Sequence, residues 1–197
     1  MPNFVISRLP AAASRSDDRE TMQTQRPTFV IRAVPRLTLQ GARLIMAAAA
    51  RRAAALSVAM DIAVVDDGGH LLAFNRMDGA KLSSVDIAIS KAWTAACTRR
   101  PTHEYAEIAG PGKPAFGIHV SNGGRFMIVG GGLPITLGGV VIGGIGCSSG
   151  TVQQDRDVAA AGIRALQQRL GDGGRTAPRR AARRTARGGA LRRRARR

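Results

Sequence analysis

Residues 37–170 are predicted to form one α+β domain, with helices covering a central antiparallel sheet. Three observations carry this. Helical periodicity marks the beginning, middle and end of the segment, giving three main helices. Between them lie short β-branched runs broken by Gly-rich turns, and such hairpins join antiparallel neighbours. The flanks differ from the middle in composition, so they read as an irregular extension over 1–36 and a disordered Arg-rich tail over 171–197.

Each element has a local cause. Leu39 to Leu56 is Ala-rich, and Thr38 is placed to cap its first turn. Ala59 to Val65 is apolar and β-branched, a buried strand. Asp66-Asp67-Gly68-Gly69 is a tight turn, and His70 to Met77 is the return strand. That strand alternates, with His70, Leu72, Phe74 and Arg76 on one face and Leu71, Ala73, Asn75 and Met77 on the other. Ser83-Ser84-Val85-Asp86 resembles a capping box with Asp for Glu, and opens a helix that runs to Thr98 and stops before Pro101. Thr102 to Ile108 adds one or two helical turns. Phe116 to Val120 and Arg125 to Val129 read as short strands around the turn Ser121-Asn122-Gly123-Gly124. Leu133 to Leu137 and Val140 to Cys147 form a second hairpin through Gly138-Gly139. Val152, Asp155, Val158, Ala159, Ile163, Leu166 and Leu170 recur at helical spacing and define the last helix.

The net charge of +17 is unevenly spread. The tail holds eleven Arg and one Asp, while residues 37–170 hold thirteen basic and nine acidic residues. The folded part is therefore only mildly basic. The tail reads either as a phosphate-binding arm, capable of non-specific nucleic-acid contact, or as out-of-frame translation of GC-rich sequence. No run of 18 apolar residues occurs, and residues 1–20 lack a signal-length apolar stretch and carry Asp17, Asp18 and Glu20. The expected location is cytoplasmic, without membrane contact. Cys97 and Cys147 fit no metal spacing.

Gly144-Ile145-Gly146-Cys147-Ser148-Ser149-Gly150 approaches a dinucleotide fingerprint, but no room remains after it for a further βαβ unit. Gly144 and Gly146 instead share a strand face where a helix or a flat ligand approaches closely. Residues 148–150 place backbone N–H groups at a helix start, a site suited to an anion. No catalytic constellation is visible among His70, His103 and His119, so enzymatic activity is not indicated. His119 lies among apolar and small residues beside a Gly-rich turn. It reads either as a hydrogen-bonded structural histidine or as a haem-iron ligand. His103 is the alternative ligand, with Met77 and Tyr105 weaker donors. Lys91, mid-helix among Ile89, Ala92 and Ala95, either snorkels outward or offers its ammonium to a ligand carboxylate.

The blocks Val65-Asp66-Asp67-Gly68-Gly69-His70-Leu71-Leu72-Ala73-Phe74-Asn75-Arg76-Met77, Lys91-Ala92-Trp93-Thr94-Ala95, Gly130-Gly131-Gly132-Leu133-Pro134-Ile135, Ile142-Gly143-Gly144-Ile145-Gly146 and Gln154-Asp155 resemble the GlcG/HbpS haem-binding-like family. That family also supplies the C-terminal domain of PduO-type corrinoid adenosyltransferases. The resemblance covers most of residues 37–170. It implies a sheet of about five strands, homo-oligomers, and haem binding in some members. Where the family reads Gly-Val-Ser-Gly-Gly, this chain has Gly146-Cys147-Ser148-Ser149-Gly150, and Ser149 adds a Cβ in a tight turn. The first functional expectation is a haem- or tetrapyrrole-binding oligomer, with His119 on the iron, Arg125 and Lys91 meeting propionates, and Gly144 and Gly146 giving close approach. The second is a non-haem small-molecule-binding accessory protein of 2-hydroxy-acid or diol metabolism, favoured by the Lys91 and Arg76 charges. An enzyme with an unrecognised site is the third.

Overall fold

The computed structural model describes residues 34–175. The irregular extension and the Arg-rich tail lie outside the described residues except at their inner ends.

Helix α1 (Leu39–Ala55) begins where Thr38 Oγ1 accepts the Gly41 N–H at 3.1 Å, and it buries Ala42, Ile45, Ala48, Ala49 and Ala53. Strands β1 (Asp61–Asp66) and β2 (Leu71–Arg76) form the first hairpin. Its turn is held by Asp66, whose Oδ1 accepts the N–H groups of Gly68 at 2.9 Å and His70 at 2.8 Å. Gly69 has φ +79°, the left-handed backbone its position requires. Val64 pairs with Ala73 and Val65 with Leu71, so Leu72 is the extra residue of a bulge. The simple alternation therefore fails there: Leu72 packs into the same core as Ala73 and Met77, while Phe74 faces the other side.

Helix α2 (Ser84–Thr98) starts without the expected capping box. The Ser84 N–H already donates to Lys81 O, so Ser83 is helical and its side chain makes no cap bond. Arg99, at φ 58°, ends the helix before Pro101. Helix α3 (Thr102–Ile108) follows. The next two expected strands do not form. Ile118–Val120 is a 3₁₀ turn and Ser121–Gly124 a short helical turn, α4. Gly117, Asn122, Gly123 and Gly124 all have positive φ, which winds the chain instead of extending it. Arg125–Val129 has no strand partner. Strands β3 (Gly132–Leu137) and β4 (Val140–Ser148) complete the sheet, and helix α5 (Val152–Arg175) closes the domain five residues past the expected end.

The sheet has four strands, not about five, in the order β2-β1-β4-β3, all antiparallel. Pro134 sits in β3, an edge strand, where its missing N–H is tolerated. Helices α1 and α5 pack together over one face, around Ile45, Met60, Ile62, Val64, Ile145 and Val158. Helix α2 covers the other through Ala88, Ala92 and Ala96 against Ala63 and Val65. No described helix is long and apolar enough to cross a membrane.

The α2 side is packed backbone to backbone. A Cβ on Gly146 would overlap the Ala88 carbonyl, and one on Gly144 the Ala92 carbonyl. Gly146→Ala should therefore cost about 3 kcal/mol or more, because helix and strand must separate. Gly171, near the end of α5, has no atom within 4 Å of its Cβ position. Gly171→Ala should be neutral or stabilising by up to about 1 kcal/mol. Urea unfolding of the two variants measures the contrast.

Candidate functional site

Lys91 points inward from α2 and is 1% exposed. Its ammonium donates to Asp155 Oδ2 at 2.7 Å and to the Cys147 carbonyl at 2.9 Å. Asp155, in the first turn of α5, is equally buried and accepts the Gly150 N–H on its other oxygen at 3.1 Å. Burial pushes the Asp155 carboxyl above its ordinary range, and the Lys91 hydrogen bond and charge pull it only partway back. Lys91 does not snorkel: its ammonium is held by Asp155 and the Cys147 carbonyl, and the pair joins α2, β4 and α5. Gly144 and Gly146 are likewise filled by α2, so of the two occupants expected on that face the helix takes the place.

The amides at the start of α5 are also answered internally. Thr151 Oγ1 accepts the Gln154 N–H at 3.2 Å, and Gln154 Oε1 accepts the Thr151 N–H at 2.9 Å, a reciprocal cap. With Gly150 N–H given to Asp155, residues 148–150 are not an open anion cradle.

Arg125 is half-buried at the first hairpin. Its guanidinium lies 5.1 Å from the Trp93 ring centroid and donates to the Gly69 carbonyl at 3.3 Å. Arg125 has donors beyond this one bond. Cys97 stands beside Gly69, and desolvation holds its thiol above its usual pKa.

His119 is exposed on the 3₁₀ turn. Phe116 and Val120 flank it, 60% and 72% exposed, and the Phe116 ring centroid is 6.2 Å from the imidazole. Nothing lies within 4 Å of the Cβ positions of Gly117, Gly123 and Gly124, so the surroundings are open. The other donors are more committed. His103 Nε2 accepts from Arg156 at 3.4 Å while its Nδ1 is buried without a partner. Tyr105 is buried edge-on against Phe126, and Met77 packs on the core. His70 is solvated and lies 3.2 Å from Asp66 Oδ1. No described group of three or more His, Cys, Asp or Glu residues is arranged to hold a metal ion.

Asp61 is a site residue the sequence reading passed over. It opens β1, is fully buried, and leaves Oδ1 without a hydrogen-bond partner. Its Oδ2 accepts from Ser149 Oγ at 3.1 Å. Burial holds the Asp61 carboxyl above its ordinary value, against the smaller pull of Ser149 and the Arg76 charge.

Two stability measurements test these assignments. Lys91→Met strands the Asp155 charge and should cost about 3–5 kcal/mol, whereas adding Asp155→Leu should recover most of it. Asp61 titrates higher folded than unfolded, so its ionisation opposes folding above the folded pKa and has no effect below the unfolded one. Asp61→Asn should therefore be more stable than the parent at pH 7, with the advantage shrinking as pH falls toward 4. Denaturation midpoints across that range read both results.

Comparison with known proteins places the geometry in a lineage. The model of a family described as haem degrading protein HbpS-like matches residues 37–164. An uncharacterized 15.0 kDa protein of the dhaT-dhaS intergenic region of Citrobacter freundii is 43% identical over 123 residues, 62% of this chain and 87% of that one. The corrinoid adenosyltransferase PduO of Salmonella typhimurium is 37% identical over 119 residues, 60% of this chain, which spans only 35% of that enzyme. Among solved structures, the PduOC:heme complex is similar with TM-score 0.64 and 34% identity, covering 66% of this chain and 95% of that one. HbpS is similar with TM-score 0.62 and 29% identity, covering 72% and 98%. With the family model spanning most of the described fold, the chain belongs to the HbpS-like family.

Proposed function

We propose that this chain binds haem and that His119 is the axial donor. The carrying observation is the exposed imidazole of His119 between two exposed apolar side chains, Phe116 and Val120, on an open turn. An iron porphyrin needs that pairing: a nitrogen donor for the metal and apolar surface for the ring. The solved haem complex of a relative 34% identical supports the ligand class. Arg125 is the cation for a propionate, because Lys91 is committed to Asp155. Haem, when bound, supplies an iron centre capable of redox chemistry. Assembly into a homo-oligomer belongs to the same reading, since it would cover Leu82, which is 75% exposed.

The test is a haem titration followed at the Soret band. His119→Ala should weaken binding and change the spectrum, while His70→Ala, already bonded to Asp66, should do neither. Identical affinity and spectra for the parent and His119→Ala would remove His119 as ligand. No saturable binding by any of the three would end the haem reading.

A further inference from the structure

A second place in the molecule has the marks of a built site and takes no part in the haem reading. Three chain segments enclose an open cleft of about 430 Å³: Ser57–Ala59 before β1, Gly79 to Lys81 before α2, and Ser149 to Gln154 between β4 and α5. Its lining includes Val58 and Ala59 and the hydroxyl-bearing residues Ser57, Ser149 and Thr151. Of four described non-Gly residues with positive φ, two line this cleft: Ser57 at 56° and Ser149 at 114°. Such backbone persists only when the surroundings hold it in place.

At Ser149 the holding contacts are visible. Its Oγ accepts the Lys81 N–H at 3.1 Å and donates to Asp61 Oδ2 at 3.1 Å. With its proton committed to the buried carboxylate and one lone pair taken by Lys81, Ser149 offers the cleft only an acceptor. Asp61 Oδ1, buried and unpartnered, adds negative potential that favours a donor there. Lys81 lines the same cleft, and its ammonium makes no ion pair among the described residues. The cleft thus combines a fixed acceptor with a free cation.

We infer that this cleft binds a small carboxylate bearing a neighbouring hydrogen-bond donor, a hydroxyl or an ammonium. The carboxylate meets Lys81 and the donor meets Ser149, with Asp61 as the positioning residue that fixes the serine proton. The volume of about 430 Å³ admits a compact molecule of this class with room to spare.

Calorimetric titration of the full chain tests the assignment with four probes: 2-hydroxypropanoate, alanine, propanoate and propane-1,2-diol. At least one of the first two should bind saturably, and the stronger identifies the donor. Propanoate and the diol each lack one recognised group and should bind at least about tenfold more weakly. Ser149→Gly removes the acceptor and suits the left-handed backbone. The relaxed backbone offsets only part of the hydrogen bond that Asp61 loses, so the melting temperature should fall while unfolding stays cooperative, and affinity should drop at least about tenfold, as it should in Lys81→Gln. Propanoate binding as tightly as the donor-bearing probes would overturn the proposal. So would parent-like affinity in Ser149→Gly, or no saturable binding by any probe.

Discussion

The close approach of α2 to β4 is the constraint on which the rest of the structure depends. Gly132, Gly144 and Gly146 bring strand backbone against the carbonyls of Lys91, Ala92 and Ala88, leaving no space for side chains between. At such separation dispersion is favourable along the whole contact, but little apolar area is available to position the helix along its axis. The Lys91–Asp155 pair supplies that positioning. It reaches from α2 past the Cys147 carbonyl to the first turn of α5, tying both faces of the sheet to one point. Its two charges are desolvated, so its value lies in geometry more than in net stabilisation. Cys147, buried beside it, is pushed to a high pKa by desolvation and the Asp155 charge, which keeps it an inert thiol.

Most of the framework was legible in the sequence because local and long-range signals agreed there. The alanines of α1, the Asp66–Gly69 turn and the Gly138-Gly139 hairpin each had one compatible conformation, and each formed. The misreadings share a cause. Phe116–Val120 and Arg125–Val129 have strand-like composition, yet a strand exists only with a partner, and pairing is not written locally. Gly117 and the 122–124 run were the counter-signal, since left-handed residues on both sides of the four-residue stretch 118–121 curl it. Leu72 changed face because of a bulge whose cause lies in the opposing strand.

The candidate sites were legible in part. Lys91 stood out as a charge on an apolar helix face, and Asp155 stood on the apolar stripe of α5. Two opposite charges so placed are a signal for mutual burial, and reading them singly led toward solvent or ligand instead. Gly144 and Gly146 marked close approach correctly but could not say what approaches. Asp61 was the one acid inside the apolar 59–65 run, a signal for a buried carboxylate with a partner that the sequence reading did not use. Only the fold shows it covered, with Ser149 as the partner of one oxygen.

The division between framework and function follows from this packing. Where helix and sheet meet through glycine, substitution is barred, so that layer has no room for a variable ligand pocket. Both proposed sites accordingly fall on segments that leave the layer. One is the connection from α3 to β3, which carries His119 on a turn without strand partners. The other is the corner where β1 begins and β4 ends, where Ser149 takes a positive φ that favours glycine. A serine there is costly unless its hydroxyl is used, and both of its described hydrogen bonds lead to the cleft wall or the carboxylate behind it. The same glycine-lined core is therefore compatible with different ligands, since the turn and the cleft proposed to bind them leave the packing that holds the fold.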